Sequence, residues 1–384
     1  MRLNSKVQRC KSPFVLLKIG LYLLFSLSAS CSVKAQNFGL KILTVSDSSQ
    51  ITSEVQMFDS LFYQCIQDYG KKDISSLFTA NDSIVSKTHP ITVLNFITGI
   101  DIPLNFVFPF KLVKNQLLND SISIFQLDLG WMQLALPLNR NQKKLMRFES
   151  LNNFGLRKFE FNNLVIYSAE EVKRKDVSNA YSKIVVASKE MGVNLEKFYS
   201  QTFTMYSANS IAEAYALVGG LQYATFFYPG SRYGGMGDPY NNVILSGIST
   251  PIHVHELLHF LIDFPCNLFI NEGLASYYGG ISSGNYELNL KSVLGVVAEN
   301  NIHTFQGLHD LQISNATFNS VRGLYVLSAY LLHRVKKDFG LKEYQQFIRN
   351  CKTDQEMINS LKALYKLNSE QAVFNCFFQI SESP

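Results

Sequence analysis

His255-Glu256-Leu257-Leu258-His259, followed by Asn271-Glu272-Gly273-Leu274-Ala275-Ser276-Tyr277, is the stretch on which the reading of this 384-residue chain turns. On an α-helix, residues four apart share a face, so both imidazoles of the first segment can reach one metal ion. Glu256 projects from the neighbouring face, beside the coordination position left open. Two neutral nitrogen ligands and a carboxylate able to take a proton from water form the donor set of a zinc hydrolase. The flanks predict a helix over 250–263, with Ser249 or Thr250 as cap and Pro251 in the first turn. Ile252, Leu257, Leu258, Phe260, Leu261 and Ile262 are its apolar contacts, and Pro265 stops it.

Chance supplies such a pattern about once in 150–200 shuffled chains of this composition, so a third ligand must also be present. Twelve residues lie between His259 and Glu272, enough for a turn and a second, antiparallel helix over 271–280. Glu272 in its first turn then faces the two imidazoles. Two histidines and one glutamate leave a fourth tetrahedral position for water. Asp263, four residues after His259, and Ser276, one turn after Glu272, are candidates to hydrogen-bond the ligands from behind. His253 lies on another face and reads as a capping or surface residue. Cys266, between the two helices, reads as buried or disulfide-bonded, since a free thiolate there would compete for the metal.

Outward from this centre the pattern is mostly helical on the C-terminal side, over 287–299, 320–338, 341–350, 354–365 and 369–379. His303 and His309 fall in a loop-like segment. On the N-terminal side, Leu164–Ser168 is a short strand. A helix from Glu170 to Met191 presents Val177, Ala180, Tyr181, Ile184, Val185 and Ser188 on one face and ends at Gly192. Phe198–Tyr206 and Asn242–Leu245 read as strands, Ile211–Val218 as a short helix and Tyr228–Asn242 as a loop. Residues 37–165 are mainly strands and turns, with Ile91–Ile97, Asn105–Val113, Ser121–Leu129 and Met132–Leu138 rich in β-branched and aromatic residues. Val55–Tyr69 is helical, and Asn139–Lys144 is a turn or linker. The expected fold class is α+β, with a β-rich accessory domain over 36–160 followed by a second domain over 161–384. That second domain divides into strands and helices over 161–249 and helices over 250–384.

Residues 1–35 form an address. Arg2, Lys6, Arg9 and Lys11 precede an apolar run from Phe14 to Leu27, and Val33-Lys34-Ala35 fits a cleavage site before Gln36. The uninterrupted stretch Ile19–Leu27 is far short of the roughly 20 residues that span a bilayer. An exported protein, periplasmic or extracellular, with no membrane span in the mature chain is expected. A retained anchor is the less favoured alternative, as is a lipid attached at Cys31, because Leu27 stands four residues before the cysteine rather than three. Apolar residues make up 47% and charged residues 17%, which excludes an intrinsically disordered chain. The net charge of +5 belongs to the leader: removing its six basic residues leaves 29 basic against 30 acidic, and no electrostatic case for nucleic acid. Cys65, Cys266, Cys351 and Cys376 remain, too few for a disulfide scaffold, although Cys351 and Cys376 are close enough in sequence to pair.

With HELLH and NEGLASYY in place, the chain resembles the gluzincin metallopeptidases, the group of thermolysin and the aminopeptidase N family. The likeness spans 164–380 in layout and 255–278 in motif. It implies a thermolysin-like zinc peptidase domain with a helical C-terminal part. One zinc ion is held by His255, His259 and Glu272, and Glu256 is general base and acid. Peptide or protein substrate lies along an edge strand, here Asn242–Leu245, beginning at Asn242. Aminopeptidases of the group carry Gly-x-Met-Glu-Asn, whose glutamate holds the substrate amine. The nearest stretch here is Gly234-Gly235-Met236-Gly237-Asp238, with glycine at that place, so an endopeptidase or an unusual exopeptidase is expected. The tyrosine that steadies the oxyanion in the family has Ser320 at its place here, and Tyr325 and Tyr330 are the candidates to replace it. These departures leave a second reading, a catalytically weak or inactive zinc- or peptide-binding module of the cell envelope.

Overall fold

Alternating apolar residues in the first third and 3.6-residue periodicity in the last produce an α+β chain. The computed structural model describes residues 39–41, 43–68, 75–79, 110–128, 133–146, 156–221, 234–238, 242–248, 250–281, 284–315, 317–318 and 322–379. The leader expected over 1–35, with Cys31, and the strand expected over Ile91–Ile97 lie outside these residues, as do Ser249 and Ser320. Two sheets and eleven helices are present among the described residues, and none of those helices is long and apolar enough to cross a membrane.

The first sheet contains β1 (Leu43–Thr44), β2 (Phe110–Asn119), β3 (Ile122–Asp128), β4 (Gln133–Asn139) and β5 (Lys144–Leu145) in that order, with β9 (Gly220–Leu221) also on β4. Helix α1 (Ser53–Asp68) covers it, and its Phe58 stacks on Phe125 of β3 with ring centroids 3.9 Å apart. The polar segment expected at Asn139–Lys144 is the turn of the β4–β5 hairpin.

The second sheet positions the site. It contains β6 (Arg157–Phe161), β7 (Leu164–Ser168), β8 (Phe203–Ala208), β10 (Gly234–Asp238) and β11 (Val243–Gly247), in the order β10-β11-β8-β7-β6. The three inner strands are parallel, and the two edges run antiparallel to them. Parallel neighbours need a crossover, supplied between β7 and β8 by α2 (Arg174–Met191), which buries Val177, Ala180, Ile184, Ala187, Ser188 and Met191. The buried stripe is turned slightly from the expected one, since Val185 is 44% exposed. Phe198 belongs to a short helix, α3 (Leu195–Tyr199), and the strand expected from Phe198 starts only at Phe203.

The expected boundary at 160/161 falls inside β6. One apolar cluster joins α2 to the C-terminal helices. The other joins α1 and the first sheet to Ile211, Ala214, Tyr215 and Val218, from and just after α4 (Ile211–Ala216), and to Val243 and Leu245 of β11. The C-terminal helices are α5 (Val254–Leu261), α6 (Leu268–Gly279), α7 (Glu287–Glu299), α8 (Phe305–Ser314), α9 (Gly323–Asn350), α10 (Asp354–Tyr365) and α11 (Glu370–Phe378). Helix α8 replaces the expected loop and contains His309; Thr304 caps it, and Phe305, Leu308 and Leu311 are buried. Helix α9 joins the two helices expected over 320–338 and 341–350 across a break at Gly340, whose φ of 83° suits glycine.

Candidate metal centre and cleft

Helix α5 is shorter than its apolar pattern. Its N-cap is His253 rather than Ser249 or Thr250, and it ends at Leu261 because Ile262 turns to an extended conformation. His255, Glu256, Leu257, Leu258 and Leu261 are its buried residues. Helix α6 starts at Leu268, capped by Asn267, whose side chain accepts from Ile270 N. Glu272 is therefore in the second turn rather than the first. A Cβ on Gly273 would come within 2.9 Å of Leu332 Cδ1 and 3.0 Å of Ser328 Cβ, so the missing side chain lets α9 press against α6 beside Glu272.

The two helices bring His255, His259 and Glu272 together, with one ligand atom from each lying within 4.8 Å of the others. His255 Nε2 is 3.2 Å and His259 Nε2 3.6 Å from the same oxygen, Glu272 Oε2. The opposite nitrogens are occupied. His255 Nδ1 donates to the carbonyl of Gly280 at 3.1 Å, and His259 Nδ1 donates to Asn271 Oδ1. Both acceptors are oxygens, so each Nδ1 donates, and the Nε2 atoms turn inward to Glu272 Oε2, with His255 Nε2 at hydrogen-bond distance. Two imidazole nitrogens and a carboxylate oxygen converging on one point offer three ligand atoms to a cation. The donor set therefore fits a metal ion. Burial pulls the Glu272 carboxyl upward, but His259 and His255 outweigh that and hold it below the usual range.

Glu256 is not a member of the group. It is 7% exposed, and burial pushes its carboxyl up to about 7, with His259 opposing and Glu272 adding to the rise. It opens onto a cavity of about 420 Å³ shared with His255, His259 and Glu272. One wall is the edge strand β10, through Gly234, Gly235, Met236 and Gly237; the other side includes His253, Arg322 and Tyr325. A Cβ on Gly235 would meet the His253 ring at 2.3 Å and Glu256 Cγ at 2.8 Å, and one on Gly237 would meet the Phe260 ring at 2.8 Å. Only a strand without side chains at these positions can lie this close to α5.

The other expected site residues are distributed as follows. Tyr325 lines the cavity and its ring stacks on that of His255, centroids 5.8 Å apart. Tyr330 is not among the lining residues; its hydroxyl accepts from Arg334 Nη1 at 3.0 Å. Asn242 is also not among them. It precedes β11, an inner strand, so the edge beside the site is β10 and not Asn242–Leu245. Asp263 is exposed, and Asn271 stands behind His259 where Asp263 was expected. Ser276 is fully buried, with no partner for its Oγ among the described residues. His253, expected to cap or face solvent, is only 7% exposed, and burial holds its ring well below the usual imidazole range. The four described cysteines form no disulfide with one another, so Cys351 and Cys376 do not pair. Sequence reasoning passed over Asn271, Arg322 and the role of His253. Asn271 alone carried a signal, as the neighbour of Glu272 in the quoted motif.

No protein-family model, no curated protein and no solved structure matches this chain.

Proposed function

We propose that the chain is an exported zinc-dependent peptidase of the gluzincin type, with a thermolysin-like arrangement around the cleft. The observation that carries this reading is the convergence of His255, His259 and Glu272 beside a buried carboxylate that is not one of them. Zinc, the ion that such a nitrogen and oxygen donor set favours, would supply a Lewis acid and lower the pKa of water there. Glu256 accepts the proton of the attacking water and passes it to the leaving amine. A carboxyl that burial brings towards neutrality can serve in both transfers. Among the described residues β10 is the edge strand of its sheet and a wall of the cleft, the kind of position where an extended peptide adds to a sheet, and its glycines let that strand lie close against α5. Export rests on the leader pattern of residues 1–35.

The test is metal analysis combined with peptide digestion. The purified mature chain should hold close to one zinc and cleave peptides in a chelator-sensitive way. Glu256→Gln should keep the metal and lose cleavage by about 10²–10⁴-fold. Undiminished hydrolysis by that variant would remove Glu256 from the mechanism. Metal binding without cleavage of any peptide would instead support the binding-module reading.

A further inference from the structure

Outside the cleft, two thiols that the proposed chemistry does not use are brought together by the backbone. The connection from α5 to α6 runs beside the end of α9. The Arg349 guanidinium lies over the Phe264 ring, 4.9 Å from its centroid. Asn267 N donates to the carbonyl of Cys351 at 2.8 Å, and Asn267 Nδ2 donates to Asp354 Oδ1 at 2.7 Å. Cys266 and Cys351 are thus bracketed by contacts on both sides. With standard bond lengths and angles, the hydrogen bond from Asn267 N to Cys351 O keeps the Cα atoms of Cys266 and Cys351 no more than about 7 Å apart. Disulfides span Cα separations of about 4.4–6.8 Å, so the backbone already stands at bridging distance.

The sulfurs themselves supply a second observation. Both are thiols in this structure; Cys351 is fully buried at the C-cap of α9, and Cys266 is partly buried. Burial pushes the Cys351 thiol up to about 12; the Ser360 side chain opposes the rise and the nearby Cys266 adds to it. Neither sulfur has a partner that a bond between them would strand at high cost. Cys351 Sγ donates to the carbonyl of Phe347 at 3.0 Å, and Cys266 Sγ accepts from Asn271 Nδ2 at 3.8 Å. A thiol is a weak donor, and a bridged sulfur can still accept from Asn271. Cys65 belongs to the other apolar cluster, and Cys376 is exposed on α11.

We propose that Cys266 and Cys351 form a disulfide when the chain meets an oxidising compartment, the kind of destination to which its leader pattern points. The oxidant is a small disulfide of the glutathione class. Cys266, the less buried of the two, gives up its proton, and its thiolate attacks one sulfur of that disulfide. The oxidant's S–S bond breaks, and the first small thiolate leaves and takes up the proton. Cys351 then turns about its Cα–Cβ bond, loses its proton and attacks Cys266 Sγ, and the second small thiolate leaves as a thiol. Two cysteines are oxidised and one disulfide is reduced to two thiols. The bond ties the residue before Asn267, the cap of α6, to the end of α9, and so fixes the start of the helix that carries Asn271 and Glu272. It also removes an ionisable thiol from beside the candidate metal centre. Its formation needs neither zinc nor peptide cleavage, so it stands or falls independently of the peptidase reading.

The test starts from the mature chain, reduced, freed of reductant and incubated with excess oxidised glutathione. Remaining thiols are blocked in denaturant, and the digest is mapped by mass spectrometry without reduction. A peptide pair joining Cys266 to Cys351 should dominate, with Cys65 recovered as a blocked thiol and Cys376 as a blocked thiol or a glutathione adduct. The oxidised protein should melt at least about 5 °C above the reduced protein. Cys266→Ser should abolish both the linked pair and the rise, whereas Cys376→Ser should keep both. A glutathione adduct that persists on Cys266 without the linked pair would overturn the proposal, because it would show that Cys351 cannot reach. Recovery of both cysteines as blocked thiols, or linkage of either one to Cys65 or Cys376 instead, would overturn it as well. The mapping is made on the unaltered chain, so its outcome decides even where a variant fails to fold.

Discussion

The Asn271 amide stands between two partners: Oδ1 accepts from His259 Nδ1, and Nδ2 donates towards Cys266 Sγ at 3.8 Å. The sulfur thereby orients the amide, and the amide fixes the tautomer of a ligand. Burial pushes the Cys266 thiol up, which keeps it protonated and out of competition for the metal. Asn271→Ala should weaken zinc affinity about 10–100-fold in a chelator competition while leaving the fold intact. Unchanged affinity would show that His259 needs no support from behind. Gly235 is the other sensitive residue, because a methyl group there overlaps the His253 ring and approaches Glu256. Gly235→Ala should lower the thermal midpoint by an amount equivalent to about 1–3 kcal/mol and reduce cleavage as Glu256 is displaced. A variant with wild-type melting and activity would mean that the wall yields freely.

Elements with strong local periodicity were legible. The ranges 287–299 and 354–365 agree with α7 and α10: an apolar face marks both, and at α10 the capping box of Thr353 and Glu356 fixes the start. The edge strand β10 was not legible: Gly-Gly-Met-Gly-Asp has little strand propensity, and it is a strand because β11 pairs with it and α5 packs against it. Helix α8 was hidden by its polar surface positions, although Phe305, Leu308 and Leu311 recur at helical spacing. The end of α9 carries a thiol prediction. Burial pushes Cys351 up to about 12, so its thiolate is scarce at pH 8, whereas Cys376 on α11 is exposed. Alkylation of the native protein at pH 8 should label Cys376 and spare Cys351 until denaturant is added. Rapid native labelling of Cys351 would show that the end of α9 opens.

Across the whole molecule, the three side chains that could hold a metal come from two helices inside the larger apolar cluster, so an ion held by both would cross-link the core. A ligand that binds only the folded state stabilises it by about 2.7 kcal/mol at 100 times its Kd. Zinc should therefore raise the melting temperature by several degrees, and a chelator should reverse the change. His259→Ala should abolish the response, whereas Glu256→Gln should retain it. Equal shifts in all three proteins would place the stabilising ion elsewhere. The smaller cluster draws Tyr215, Val243 and Leu245 onto α1 and the first sheet, so the two expected domains share apolar contacts across the boundary at 160.

By itself the amino-acid order determined the α+β class, the two facing helices and the three side chains that converge between them. Those follow from helical periodicity and capping, which act over a few neighbouring residues. Tertiary structure alone decided which strand forms the edge of the cleft, which residue supports His259, and that His253 and Arg322 enter the cavity. Each depends on different elements meeting at contact distance: β10 against α5, Asn271 of α6 against His259 of α5, and Tyr325 in the first turn of α9 against the ring of His255. No local pattern encodes such meetings, because they are set by the packing of the whole core.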